Sequence, residues 1–289
     1  MPEKTSRPQV AIMAKPSKAE LARIVPELLD WLKAHGYDVV IDREASAYCK
    51  EQETSTREEI GGRLLQFVVV LGGDGTLLAA ARAVGKTQTP VVGVNLGSLG
   101  FLTEVQVSEL YPTLEAVHEG KASVEQRSLV HCEIVRHGAS VASYEALNDV
   151  VIDKGAIARL SNFDLFVDHA FVSNYKADGM IVSTPTGSTA YSLAAGGPIL
   201  TPSVEAFVVT PVSPHSLTHR PLVVRDSAEI VIVIKGAKEC FLSIDGQVGM
   251  PLLDGDQVRC RKSEHKFKLL RVRKTFFDVL RNRLKWGQR

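Results

Sequence analysis

The chain has 289 residues, with 34 basic against 33 acidic side chains and a net charge of +1, which suits one large or two ordinary domains. That balance argues against the bulk electrostatic footprint of a nucleic-acid or membrane partner and favours a small-molecule substrate. Cys49, Cys132, Cys240 and Cys260 lack any C-x-x-C pair, which argues against a zinc site or a disulfide framework and suits a reducing cytoplasm.

The N-terminus opens with charged residues and reaches its first apolar run at Val10, so it lacks the hydrophobic core of a signal peptide. No apolar run approaches the length that spans a bilayer. Residues 9–14 read as a strand. Ser17 opens a helix with Glu20 three positions on, the spacing of a capping box, and Leu21, Ile24, Val25, Leu28, Leu29 and Leu32 fall on one helical face. Pro26 inside that pattern predicts a kink or a late start. Residues 42–58 are polar without a sustained period and read as a mobile loop. Strands at 38–41, 67–71 and 91–94 alternate with helices at 76–84 and 108–119, the last closed by Gly120, which is the rhythm of a parallel sheet with helices on its faces.

After residue 123 the segments 129–135, 149–152, 163–167, 179–183, 207–211, 230–234 and 241–244 are short and strand-like, with turn residues between them. One helix at 188–195 interrupts them. Phe276, Phe277, Leu280 and Leu284 then recur at helical spacing. The expected fold is an α/β N-terminal domain with a parallel, Rossmann-like sheet over residues 1–122 and an all-β, sandwich-like domain over 123–270. A C-terminal helix over 271–289 packs back on the N-terminal domain.

Five segments carry the chemistry. Gly72-Gly-Asp-Gly-Thr76 sets Asp74 in a glycine loop between a buried strand and a helix, where amides can hold phosphates and the carboxylate can accept a proton from a hydroxyl. Many strand-to-helix turns are glycine-rich for packing alone. The loop lacks the Gly-Lys-Ser/Thr of a nucleoside triphosphatase and the G-x-G-x-x-G of a dinucleotide fingerprint. The second segment, at 95–104, also follows a strand and so can face the same crevice; its glycines equally suit a plain turn. Asn148-Asp149 offers donor and acceptor groups for sugar hydroxyls, or marks a turn. Residues 184–198 place Thr184, Thr186, Ser188 and Thr189 around Pro185 and Gly187, with Tyr191 able to stack on a ring. Ser243-Ile-Asp-Gly-Gln247 reads as a hairpin turn at Asp245-Gly246. His215 and His219 read as turn and surface residues.

In their order along residues 67 to 250 these segments resemble the NAD kinase family, in a form similar to its bacterial branch. The resemblance implies transfer of the terminal phosphoryl group of ATP, or in some members polyphosphate, to the 2′-hydroxyl of the adenosine ribose of NAD, giving NADP. It implies Asp74 as general base, with Gly72, Gly73, Gly75 and Thr76 as the phosphate loop and Gly75 bordering the nucleotide. Asn148 and Asp149 would hold substrate hydroxyls or the adenine. Arg159, Lys176 and Asp178 would lie near the nicotinamide riboside or the diphosphate, and Thr186, Gly187, Ser188, Thr189, Ala190 and Tyr191 around the second nucleoside. Gln247 would stand at the closing edge. A divalent cation, Mg²⁺, and a homodimer or homotetramer are further implications, and Glu104 is a candidate to help hold the cation through water.

Ser98 stands where Asn is frequent in the family, Glu104 where Asp is frequent, and Arg159 in a region where members differ. The rival reading is a diacylglycerol-type lipid kinase, which shares the loop at 72–76. A second rival, a non-catalytic sensor of NADP, is disfavoured by the intact Asp74.

Overall fold

The structure, a computed structural model, describes residues 7–16, 18–49, 52–97, 100–154, 161–236, 240–272 and 275–286. The chain packs as two compact units: one runs to Gln126 and resumes at Phe267, and the other is Arg127–Lys266.

The first unit is built on strands β1 Gln9–Ala14, β2 Asp38–Asp42, β3 Thr54–Ser55, β4 Phe67–Gly72, β5 Val91–Asn95 and β6 Val105–Gln106. Its helices include α1 Leu21–Ala34, α2 Arg57–Gly61, α3 Asp74–Val84 and α4 Leu110–His118. The sheet order is β3-β2-β1-β4-β5-β6, all parallel. Every residue of β4 and β5 is buried, because helices cover both faces and the β-branched run packs on each side. The chain leaves β1 for β2 on one side and crosses to β4 on the other, so strand order reverses between β1 and β4. Open parallel sheets take ligands beyond the carboxyl ends of the strands at such a point.

Helix α1 buries the six apolar residues that its period marks. It starts at Leu21, later than Ser17, which lies outside the described residues. The run passes through Pro26, whose missing N–H costs only a bond to the carbonyl of Ala22 in the first turn. Residues 42–58 are not a featureless loop. They form a 3₁₀ turn at Arg43–Tyr48, β3 and the start of α2, with Asp42 accepting from the Ala45 N–H and Thr56 closing a capping box with Glu59. The buried Asp42 carboxylate also takes the Arg57 guanidinium at 2.9 Å, and these polar contacts replace the missing apolar period.

The second unit is built of antiparallel pairs, and its first and last strands run beyond its bounds, the last pairing in parallel with β5 at Leu269. Its strands are β7 Ser123–Arg136, β8 Ala139–Ala146, β9 Asp149–Lys154, β10 Ser161–Val167, β11 Ala170–Ala177, β12 Gly179–Ser183, β13 Ala206–Val212, β14 Leu222–Arg225, β15 Ile230–Lys235, β16 Cys240–Ile244, β17 Val248–Leu252 and β18 Gln257–Arg271. One sheet runs β14-β13-β12-β9-β16-β17 and the other contains β11-β10-β15-β18 with the β7–β8 hairpin. Inward residues of both, among them Val150, Ile152, Phe163, Leu165, Met180 and Ile232, form one core, the arrangement of a sandwich.

The expected helix at 188–195 is a 3₁₀ turn at Gly187–Thr189 followed by the single turn α5 Tyr191–Ala194. Ala190, at φ −99° and ψ −127°, separates the two, and the Ser188 hydroxyl is spent on backbone groups of Pro185 and Leu200 rather than left to solvent. The last helix, α6 Phe276–Leu284, belongs to the first unit. Thr275 and Asp278 close its capping box.

Candidate functional site

Three strand ends of the first unit converge on Asp74. β1 ends before Lys15, β4 before Gly73 and β5 at Asn95, and the three border one cavity of about 300 Å³ together with Lys18, Asp74 and Arg283. The backbone shape needs glycine at two points. A Cβ on Gly72 would fall 2.3 Å from Thr76 Oγ1, and one on Gly100 would fall 2.0 Å from Asp74 Oδ1.

Asp74 opens α3, two residues before the predicted start, where the helix dipole favours a carboxylate. Its side chain is caged by the second glycine loop. Oδ1 accepts the Leu102 and Thr103 N–H groups and the Thr103 hydroxyl, each at 3.0 Å, and Oδ2 accepts the Phe101 N–H at 2.8 Å. Thr103, fully buried, is oriented by the Asn95 amide, which donates to its Oγ1 at 2.9 Å while the Asn95 carbonyl accepts the Gly97 N–H. A carboxylate has about four acceptor positions on two oxygens, so Oδ2 keeps a lone pair for a proton while Oδ1 is held. The two glycine loops that sequence reading placed at one crevice meet here.

In the second unit the turn before β9 is held by the hairpin between β16 and β17. Asp245, at φ +50°, accepts the Leu147, Asn148 and Asp149 N–H groups at 3.1, 2.8 and 3.1 Å, and its own N–H donates to the Asp149 carbonyl. The Asn148 carbonyl accepts from Thr184 N–H at 2.9 Å, and a Cβ on Gly187 would lie 2.1 Å from that carbonyl. Asn148, Asp149, Thr184 to Tyr191 and Asp245 are thereby one contiguous group.

Asp149 is buried, and burial first, then the charge of Asp245, raises its carboxyl pKa to about 7, while the Tyr191 N–H opposes the shift. Tyr191 is half exposed. Partial burial, then the charges of Asp153, Asp178 and Asp149, push its phenol upward.

The hydroxyls of 184–189 divide by burial. Thr184 and Ser188 are fully buried and spent on the turn: Thr184 Oγ1 donates to Leu147 O at 2.5 Å and Ser188 Oγ to Pro185 O at 2.7 Å. Thr186 accepts from the buried Arg127 at 3.2 Å, and Thr189 is partly exposed. Lys176 is exposed on β11, and Asp178 pairs with Lys154 at 2.6 Å. Gln247 is exposed, with its N–H closing the hairpin on Ile244. Arg159 and Ser98 lie outside the described residues.

Glu104 does not serve the Asp74 cavity. Its buried carboxylate pairs with Arg271, which also binds Glu125 at 2.7 Å, because Arg271 is itself nearly enclosed and needs compensating charge. Sequence reading passed over Lys15, Lys18, Thr103, Arg283 and the clasp by Asp245. Lys15 and Lys18 follow a strand in the sheet that carries the glycine loop, and Thr103 lies inside the second loop, so both had a positional signal. Arg283 had none. Among the described residues no group of three His, Cys, Asp or Glu side chains is placed to hold a metal ion.

Residues 10–122 match the ATP-NAD kinase N-terminal domain and residues 147–272 the ATP-NAD kinase C-terminal domain. Over 281 residues the chain is 54% identical to the NAD kinase of Koribacter versatilis (strain Ellin345), covering 97% of this chain and 99% of that one. It is 43% identical to the NAD kinase of Geobacter sulfurreducens (strain ATCC 51573 / DSM 12127 / PCA), with the same coverage. The crystal structure of yeast NADH kinase complexed with NADH resembles it at a TM-score of 0.88 and 29% identity, over 99% of this chain and 90% of that one. An NAD kinase from Archaeoglobus fulgidus in complex with ATP resembles it at a TM-score of 0.77 and 25% identity, over 96% and 100%.

Proposed function

This chain belongs to the NAD kinase family, and on that premise we propose that Asp74 is the general base of its reaction. It transfers the terminal phosphoryl group of ATP to the 2′-hydroxyl of the adenosine ribose of NAD and produces NADP, as a phosphotransferase with an alcohol acceptor. The observation that carries the role of Asp74 is its cage: Oδ1 is held by three donors and Oδ2 by one, in a cavity lined by glycines of both loops and by cations. The lipid-kinase reading rested on residues 72–76 alone and falls before a likeness that runs the length of the chain.

In the proposed step Oδ2 takes the ribose proton as the hydroxyl oxygen bonds to the terminal phosphorus, and the bond from that phosphorus to the bridging oxygen breaks to release ADP. Gly72, Gly73, Gly75 and Thr76 shape the phosphate loop. Asn148 and Asp149 hold hydroxyls or the adenine, Lys176 and Asp178, with Arg159, serve the nicotinamide riboside or the diphosphate, and Gln247 stands at the edge. Around the second nucleoside, Thr189 and Tyr191 are exposed enough to touch it, whereas Ser188 acts through the turn it ties together, with Thr186, Gly187 and Ala190 setting the shape.

A divalent cation, Mg²⁺ in this reading, suits a site with few protein ligands, since Mg²⁺ keeps waters and binds through substrate phosphates and one or two carboxylates. The Asp74 carboxylate is taken up by its cage and by the proton it would accept, so the ion would be held by the substrate phosphates and water. The ion supplies charge neutralisation on the transferring group. The chain's four cysteines are free thiols, three of them buried, which supports a cytoplasmic location, and no described helix is long and apolar enough to cross a membrane.

The test is incubation of the purified chain with NAD, Mg²⁺ and ATP or polyphosphate, with NADP measured enzymatically. Asp74→Asn is expected to lower kcat by about 10²- to 10⁴-fold, with NAD affinity and melting temperature kept. A folded Asp74→Asn protein turning over at the wild-type rate would remove the base from the mechanism.

A further inference from the structure

The Asp74 cavity holds more positive charge than a base needs. Lys15 and Lys18 follow β1, Arg283 comes from the last turn of α6, and among the described residues lining the cavity these three cations face one carboxylate, that of Asp74. Lys15 and Arg283 are exposed and Lys18 is half-buried, so each ammonium or guanidinium can meet a ligand at little desolvation cost. Arg283 is placed rather than loose. Val279 and Leu280, buried at 1% and 3% exposure, anchor α6 one turn earlier on the same helical face. The Arg283 guanidinium lies 5.5 Å from the centre of the Phe101 ring, within cation–π range. Arg281 is spent on Asp278, whereas Arg283 carries no ion pair among the described residues.

Phe101 links this cation to the chemistry, because its N–H donates to Asp74 Oδ2 at 2.8 Å. A polyanion drawn to Arg283 therefore binds beside the segment that orients the base. In an in-line transfer the departing phosphates lie beyond the transferring phosphorus from the acceptor oxygen, and that oxygen must sit at Asp74. Cations bordering the same cavity are suited to the departing chain of phosphates.

We propose that Arg283 of the C-terminal helix, with Lys15 and Lys18, forms the subsite that grips the phosphates of the phosphoryl donor. The assignment rests on the kinase reading above and adds where the donor is held. The grip is on phosphate oxygens, so it serves any linear polyphosphate chain, with or without a nucleoside attached.

The test is steady-state kinetics on the full chain with donor and acceptor varied separately, using inorganic tripolyphosphate as the base-free probe. Arg283→Ala and Lys18→Ala are each expected to raise KM for ATP about tenfold or more, the loss of one contact to a charged group, with KM for NAD changed less than about twofold. Tripolyphosphate should compete with ATP in the wild type, and its inhibition constant should rise in parallel in both variants. Lys18→Ala leaves α6 intact, so it separates lost charge from a disturbed helix. Unchanged KM for ATP in both variants, in a wild type that makes NADP, overturns the subsite and leaves the kinase reading standing. A rise in KM for NAD alone moves the cluster to the acceptor's diphosphate and equally overturns it. A wild type that forms no NADP overturns the kinase reading itself.

Discussion

A base that must accept a proton at one oxygen gains from being immobilised through the other. In the role proposed for it, Asp74 gains this through Thr103, whose hydroxyl and N–H both reach Oδ1 and whose Oγ1 takes the Asn95 amide in turn. Directed polar chains of this kind orient the terminal group when every member is satisfied. Thr103→Val keeps the volume and deletes the hydroxyl, which also removes the Oγ1 acceptor that the buried Asn95 amide uses at 2.9 Å. The expected result is a fall in kcat of about tenfold with KM for NAD little changed, and a loss of about 1–3 kcal/mol in stability. Thr103→Ser should restore both. Steady-state kinetics with a thermal melt checks this, and wild-type kcat in Thr103→Val would show that the hydroxyl has no part in orienting Asp74.

At the level of elements, the turn before β9 depends on a hairpin nearly a hundred residues further along the chain. Asp245 satisfies three consecutive N–H groups, and the left-handed backbone of Asp245 and Gly246 bends the hairpin so that its carboxylate can reach them. The turn brings Asp149 close to Asp245, and burial next to that charge lifts the Asp149 pKa from 3.8 to about 7. The folded state then holds its proton more tightly than the unfolded state does. Stability from this group is complete below about pH 4 and is lost as pH rises through about 7, on the order of 1 kcal/mol per pH unit between the two. Asp149→Asn removes the titration, so its melting temperature should fall less than that of the wild type between pH 5 and pH 8. Parallel melting curves across that range would show that Asp149 is ionised at no cost.

At the scale of the whole molecule, β11 is the open edge of its sheet and exposes Phe171 and Val172 at 59% and 40%. Unpaired strand edges with apolar side chains are surfaces that proteins cover by association. This supports the proposed homodimer or homotetramer. Sedimentation or light scattering should find an oligomer in solution, and Phe171→Lys should shift it toward monomer; a monomeric wild type would reject the proposal. The chain's own residues set the parallel rhythm of the first 120 positions, the short-strand, all-β texture that follows, and the place of Asp74 in a glycine loop at a strand's end, because side-chain period and backbone permission are local properties of the chain. The misses of sequence reading were also local in origin. The described polar residues of 42–58 fold through capping contacts rather than an apolar period, and a helix pattern at 188–195 gives way where the Ser188 hydroxyl bonds the Pro185 carbonyl. Only the tertiary structure decided that Thr103 holds Asp74, that Asp245 clasps Asn148 and Asp149, that Glu104 belongs to Arg271, and that Arg283 shares a cavity with Lys15. Each of these joins residues distant in sequence, and whether a polar group is spent on the fold or left for a ligand is settled by what packs against it.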